Sequence, residues 1–408
     1  MTLNPPFQVE KTELSIGFLP LIDCAVLVAA QQRGFFEKYQ LNVTLRKENS
    51  WATIRDRVAV GELDAAHMLA PMPLAASLGI DGLGIPMETA FSMGLNGSAI
   101  TLSSTLVNEL KTVEPDYPSE APQRATALRT LLDQHPKRKL TFAHVYPFSQ
   151  HHYLLRAWLQ DAGIDLERDV TLKVIPPSQM VQQLQSGDID GYCAGSPWNQ
   201  KAVNQGIGQI AITSYEIWHN SPDKVLGVTQ QWAKTYPQTY RALIAALLEA
   251  AQWLDHSHHR LMIAEVLAQA DYIDVPITYI IPTLTGRFAY AHDEPVRYQP
   301  DYHCFYRYAA NVPWHSQGAY FLKQMQRSGQ YQECPAASPE QTNDLLATIY
   351  RFDLYQAVAQ TLSLPYPKAS YKPEGNHHAA WVMHNASSPI AMGSSTIALD
   401  VLRDVHQI

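Results

Sequence analysis

The apolar positions of this chain fall into short runs separated by segments of helical period. Leu14–Leu19 (LSIGFL) has the length and content of a strand. Asp23–Gln32 repeats apolar residues at helical spacing and stops near Gly34, and Leu41–Arg46 (LNVTLR) alternates as a half-buried strand does. Trp51–Val60 is helical, and Leu63–Met68 returns as a short strand. A β-α-β-α-β order of this kind predicts a parallel sheet with helices packed on it. The same order recurs as strand Leu140–Val145, helix Tyr153–Ala162, strand Val170–Ile175 and helix Ser178–Ser186. Gly61-Glu-Leu-Asp64 in the first copy answers to Gly187-Asp-Ile-Asp190 in the second, and Leu14 to Leu140, with an offset of 126 residues at both ends. A shared offset points to internal duplication. It predicts two similar lobes with a cleft between them. Ligands of open α/β sheets sit beyond the carboxyl ends of the strands, so the turns Pro20–Cys24 and Tyr146–Gln150 would face that cleft.

Elsewhere the pattern is less regular. Glu109–Arg138 is rich in proline and charge and reads as a surface excursion with a helix around Gln123–Gln134. Trp232–Trp253 is helical, with Ala242, Leu243, Ala246, Leu247 and Ala250 on one face. Gly318–Gln326 and Gln341–Tyr355 have helical spacing, whereas Leu364–Ile408 is too weakly patterned to assign. The lobes are expected as residues 1–103 with 226–408, and residues 104–225.

Composition narrows the chemistry. With 408 residues, 46% of them hydrophobic and 17% charged, the chain has room for two lobes. A net charge of -8 speaks against nucleic acid as a direct partner, and any anion site must be locally positive within a negative protein. Cys24, Cys193, Cys304 and Cys334 lie far apart without a C-x-x-C pair, which leaves no zinc or iron–sulfur pattern. The histidine pairs His151-His152 and His258-His259 are adjacent in sequence and do not converge on one face of a helix, so no metal site is expected. Neither a G-x-S-x-G nor a P-loop motif occurs, and no catalytic residue or cofactor is expected. The first residues lack the basic and apolar regions of a signal peptide, and no apolar run is long enough to span a membrane.

One stretch has the form of an anion site. In Thr141–Trp158 (TFAHVYPFSQHHYLLRAW) a strand, a polar turn and a helix start follow one another. That order aims free backbone N–H groups and the positive end of a helix dipole at one spot. Gln150, His151 and His152 lie in the turn and bring side-chain donors. An ordinary strand–helix turn capped by Ser149 fits the same residues.

Four ordered segments carry a family resemblance: Ser50-Trp-Ala52, Met68-Leu-Ala-Pro-Met-Pro73, Gly195-Ser-Pro-Trp-Asn199 and Ser221-Pro-Asp-Lys-Val-Leu-Gly227. Together they resemble the nitrate/bicarbonate-binding (NrtA/CmpA-type) branch of the ABC-transporter solute-binding proteins. The likeness runs from Leu14 to Asp255, with a weaker match at Pro313–Gly329. It implies an α/β, two-lobed type II periplasmic-binding-protein fold with a ligand cleft between the lobes, and a binding protein rather than an enzyme. Within that branch GFLPLIDCAVLVAAQQRGFFEKY, SWATIRDRVAVGELDAAHMLAPMPLA and PFSQHHYLLRAWL look like the cytoplasmic nitrate/nitrite sensors of the NasS type. That closer likeness implies a cytoplasmic protein that binds nitrate or nitrite and then releases a NasT-like ANTAR antiterminator. The alternative is an exported solute-binding subunit of a nitrate or bicarbonate importer. A third option, an enzyme like the distantly similar pyrimidine synthases, needs clustered cysteines and histidines that this chain lacks.

The resemblance also assigns roles. Lys224 would neutralise the anion, and a lysine at this position favours nitrate or nitrite over metal-assisted bicarbonate. Trp51 would bring a donor-only indole N–H. Gln150 and His151 would donate hydrogen bonds; the histidine stands where nitrate transport proteins carry glutamine and would make affinity depend on pH near neutrality. Pro71 would shape the cleft, and Gly195 would form the turn opposite, followed by Ser196 where the family carries an acidic residue.

Overall fold

The computed structural model describes residues 6–117, 120–332 and 338–402. Cys334 and the last six positions of the weakly patterned tail lie outside the described residues. In the first half of the chain the strands are β1 (Glu13–Phe18), β2 (Asn42–Lys47), β3 (Ala65–Leu69), β4 (Met87–Glu88), β5 (Ser92–Asn96) and β6 (Ser98–Ser103). They are followed by β7 (Leu140–His144), β8 (Val170–Val174), β9 (Gly191–Gly195), β10 (Gly208–Thr213) and β11 (Pro222–Thr229). One sheet runs β2-β1-β3-β11-β5 and closes on a two-residue strand, His303–Cys304, with β4 paired to β11. The other runs β8-β7-β9-β6-β10. In each sheet the first three strands are parallel and the fourth is antiparallel.

The duplication read from the sequence is structural. Strand β3 opens at Ala65 and β9 at Gly191, the offset of the two G-x-[LI]-D motifs. Both motifs do the same work. Ser15 N donates to Asp64 Oδ2 at 2.9 Å, and Thr141 N donates to Asp190 Oδ2 at 2.7 Å. In return Asp64 N reaches Ser15 O at 2.9 Å and Asp190 N reaches Thr141 O at 2.7 Å. Gly61 and Gly187 both have φ near +80°, the left-handed conformation that lets each chain leave its helix and turn into the strand. These aspartates bracket the amino ends of the strands, so the carboxyl ends are left for the cleft.

Helix ends follow local chemistry. Ser50 Oγ accepts from Thr53 N at 3.1 Å and caps helix Trp51–Ala59. The expected helix Trp232–Trp253 is two helices, Gln230–Thr235 and Pro237–Leu254, because Pro237 cannot donate into a continuous ladder. Likewise Gln341–Tyr355 divides into Pro339–Ile349 and Phe352–Thr361, where Arg351 N turns away to Thr89 O at 2.8 Å.

The lobe boundaries differ from those expected. β6 belongs to the second sheet and β11, with Lys224, to the first. The chain therefore crosses at Gly97 and between Thr213 and Pro222, not at 103/104 and 225/226. Strand pairing sets these crossings, and no local pattern encodes it. The C-terminal part ties both lobes together. His303–Cys304 extends the first sheet, Gln330 Nε2 donates to Pro147 O at 2.9 Å, and Val401 N donates to Asp161 Oδ1 at 3.2 Å. The tail, left unassigned above, forms two short ribbons: Asn376–His377 with Ser395–Thr396, and Trp381–Met383 with Ile390–Met392.

Candidate functional site

The segments that follow the carboxyl ends of β1, β2, β3, β7 and β9 bring side chains into one buried polar cluster between the lobes, called the chamber below. After β1 a short turn, Ile22–Cys24, carries Asp23. Ile22 N donates to Ser196 O at 2.9 Å and Trp198 Nε1 to Pro20 O at 3.2 Å, so this turn rests on the exit of β9. After β7, Ser149 Oγ accepts from His152 N at 3.0 Å and starts helix Gln150–Asp161. Gln150 and His151 are thus the first residues of the helix rather than residues of the turn, and the Ser149 hydroxyl already takes one of its free N–H groups.

Strand β11 is irregular beside β5, with the register slipping on both sides of Lys224. Such a bulge breaks the in–out alternation that would separate neighbouring side chains. Lys224 Nζ accordingly donates to Asp223 Oδ2 at 2.5 Å and lies 3.2 Å from Asp23 Oδ2. The ammonium sits 5.8 Å from the Trp51 ring centre, within cation–π range. His67 meets Trp51 edge-on, with ring centres 5.3 Å apart. His151 Nε2 is 3.8 Å from Asp223 Oδ2, and His303 Nδ1 is 3.9 Å from Asp23 Oδ1. At Gly195 a β-carbon would stand 3.4 Å from Leu21 Cδ2, 3.5 Å from Asp23 Oδ2 and 3.8 Å from His151 Nε2, ordinary contact distances without a clash.

The chamber is sealed: Lys224 is 1% exposed, and Trp51, Gln150, His151, His67 and Asp223 are buried with it. Burial decides the protonation states. It opposes the Lys224 charge, but Asp223 and Asp23 outweigh it and hold the ammonium above its ordinary range. Burial raises Asp23, against the pull of Lys224. It pushes Asp223 up to about 7, opposed by Lys224 and reinforced by Asp23. His151 and His67 are driven well below their ordinary value by burial first and Lys224 second, and His303 by burial, Arg260 and Lys224. His151 is therefore neutral near pH 7, and the neutral-range titration expected of it belongs to Asp223 instead.

Among the described residues, many polar atoms here are buried without a hydrogen-bond partner. They are Trp51 Nε1, both ring nitrogens of His67 and of His151, both amide atoms of Gln150, His303 Nε2 and Asp223 Oδ1. Each such atom costs about 1–3 kcal/mol when left unsatisfied, so a concentration of them marks a place built for a ligand. The indole, the amide and the ammonium supply donors, which match the oxygens of a small anion.

Of the residues expected at the site, the structure brings Trp51, His151, Gly195 and Lys224 together, and Gln150 opens the same helical turn as His151. Pro71 is buried at the head of helix Met72–Ser77; its neighbour Ala70, rather than its ring, bonds the cluster, donating to Asp223 O at 2.9 Å. Sequence reasoning missed Asp23, Asp223, His67 and His303. Asp23 lay in a turn expected to face the cleft, Asp223 beside the lysine, and His67 just before the Met68 segment. His303 comes from the irregular region beyond Tyr272 and had no local signal. Lys224, expected to neutralise the anion, is already paired with two carboxylates. His152 points away from the chamber, its Nδ1 lying 3.2 Å from His144 Nε2. Ser196 Oγ lies 2.9 Å from Tyr302 Oη at the junction of the lobes.

Two duplicated α/β lobes closed over a donor-lined cluster define the two-lobed type II periplasmic-binding-protein fold. The NMT1-like family profile matches residues 8–268, and the chain belongs to that family. It is 38% identical to the nitrate import ATP-binding protein NrtC of Synechocystis and 36% identical to the bicarbonate transport ATP-binding protein CmpC of the same organism, over 91% and 95% of this chain. It spans about half the length of those relatives, 52% and 56%. It is 30% identical to the Synechocystis nitrate/nitrite binding protein NrtA, covering 87% of this chain and 78% of that one. The crystal structure of periplasmic NrtA from Synechocystis aligns with a TM-score of 0.80 at 26% identity, over 92% of this chain and 94% of that chain.

Proposed function

We propose that this chain captures a small planar monovalent oxyanion, nitrate or nitrite first, in the chamber between the lobes, as the solute-binding part of an ABC import system. The reading rests on the convergence of buried, unpartnered donors around the Lys224 ammonium. Nitrate is weakly basic and hydrated in bulk water. Recognising it takes a few fixed donors and a cation in a dry place. Lys224 supplies the countercharge, and Trp51, Gln150 and His151 supply donors. Gly195 leaves room for the anion, and Pro71 holds the wall behind it. The names of NrtC and NrtA support nitrate, and that of CmpC keeps bicarbonate as the rival anion. Because the chamber is sealed, the lobes must part for ligand to enter and then close upon it.

A second reading is favoured by the three sequence phrases that look like NasS-type sensors. There the same closure, in the cytoplasm, would release a NasT-like antiterminator. Calorimetric titration with nitrate, nitrite, bicarbonate and an alkanesulfonate tests the shared core of both readings. Micromolar nitrate or nitrite binding is expected, falling at least tenfold, or about 1.4 kcal/mol, in Lys224→Ala. Absence of binding by any of these anions would remove both. Affinity capture from nitrate-starved and nitrate-fed cells separates them: importer subunits support the first reading, and an antiterminator held only without nitrate supports the second.

A further inference from the structure

The charges of the chamber do not balance for a bare anion. Asp23 and Asp223 carry two negative charges when ionised, and Lys224 carries one positive charge. Among the described residues Lys224 is the only permanent cation within ion-pair distance of either carboxylate. The other titratable groups facing the pair are neutral. His151 reaches Asp223 from helix Gln150–Asp161, and His303 reaches Asp23 from the C-terminal strand. Burial holds both imidazoles unprotonated. The buried thiols Cys24 and Cys193 and the Tyr302 hydroxyl feel the same carboxylates, and burial keeps all three protonated. His67, behind Trp51, is neutral for the same reason. With both carboxylates ionised the cluster is singly negative before a ligand arrives.

The hydrogen-bonding sense tells the same story. Asp223 Oδ1 is buried with no donor, and beyond its ion pair with Lys224 Asp23 Oδ2 has none either. Nitrate and nitrite have only acceptors to offer. Placed beside these oxygens, either anion would meet lone pair with lone pair and charge with like charge in a site that water does not screen. A proton on one carboxyl removes both conflicts: it cancels the excess charge and turns an acceptor into a donor aimed into the chamber.

Resting on the anion-binding reading above, we infer that the chamber takes up its anion together with one proton, held on the Asp23–Asp223 pair. Proton and anion are thus co-ligands. Specificity follows from this: bicarbonate brings an O–H of its own and can meet the lone-pair conflict without a proton from solvent, leaving only the charge uncompensated, whereas nitrate meets neither. Asp23 and Asp223 therefore set the balance between the two anions by pH. Acid favours nitrate, and alkali favours an anion that carries its own donor.

The test uses the wild-type chain, titrated calorimetrically with sodium nitrate and separately with sodium bicarbonate, in two buffers of different ionisation enthalpy. Above about pH 7, where Asp223 is ionised in the free chain, nitrate binding should take up close to one proton and its dissociation constant should rise about tenfold per pH unit; at lower pH the proton is already in place and uptake falls away. Bicarbonate should take up far less. Asp223→Asn mimics the protonated state and should bind nitrate with nearly flat pH dependence. Asp23→Asn is the parallel variant should the first fold poorly. Tight nitrate binding above about pH 8 without proton uptake would overturn the inference and leave the anion reading standing. Uniform weakening in both variants, with the wild-type pH slope retained, would overturn it too, because the proton would then sit elsewhere. No binding of either anion at any pH would overturn the anion reading and this inference with it.

Discussion

At the scale of single residues, side-chain type was legible and pairing was not. Lys224 stood out because the SPDKVLG segment resembles the nitrate-binding family, and the structure buries it. What no local pattern disclosed is that a bulge turns its sequence neighbour Asp223 onto the same ammonium. Gly195 is the reverse case: a residue with no side chain whose value lies in the space it leaves. Its β-carbon would fall at ordinary contact distances from Leu21, Asp23 and His151. Gly195→Ala should therefore keep the fold, with thermal unfolding nearly unchanged, yet weaken nitrate binding about tenfold or more by occupying the chamber. Calorimetry beside a melting curve checks this. Loss of stability in step with loss of affinity would show that Gly195 is needed for packing instead.

At the scale of elements, the duplicated run was visible because strand and helix periods are local properties. Its edges held to within a few residues. The exchanged strands β6 and β11 were invisible as lobe members, since each is reached from the opposite lobe and paired across long sequence distances. The repeated aspartates show how sequence symmetry becomes architecture. Asp190 takes the N–H of Thr141, and Asp64 takes those of Ser15 and of the Trp232 indole at 2.8 Å. Asp190→Ala should lower stability by about 1–3 kcal/mol by leaving the Thr141 N–H without its acceptor. Asp64→Ala should cost more, because it loses a second donor partner and its ion pair with Lys11. Both aspartates lie at the strand ends away from the chamber, so nitrate affinity should stay within about twofold of wild type while chemical denaturation shifts. A matching drop in affinity would mean that the brackets also set the cleft geometry.

At the scale of the whole molecule, a sealed site needs a gate, and the C-terminal part is placed to restrain it. Gln330 ties the C-terminal part to the second lobe: its Nε2 donates to Pro147 O, while its Oε1 accepts from Tyr153 Oη at 2.9 Å and from Ser328 Oγ at 2.9 Å. Pro147 and Tyr153 flank the turn that presents Gln150 and His151, so a bond made far along the chain steadies the second lobe's half of the chamber. Further along, the chain is tied to the helix end at Asp161 and bridged at Ile397 to Trp218. The sequence reading left the chain from Leu364 onward unassigned, because its order comes from contacts with distant elements and not from any period of its own. If these ties hold the lobes shut, Gln330→Ala should speed both entry and release of nitrate, by roughly threefold to tenfold, with a smaller change in the dissociation constant. Loosening the closed form eases entry to the free protein and exit from the bound one alike. Stopped-flow tryptophan fluorescence, with Trp51 against the ligand, reads both rates. Rates that stay at the wild-type values while equilibrium affinity falls would assign Gln330 to local packing of the Pro147 turn and leave the gate to the crossings at Gly97 and Thr213–Pro222.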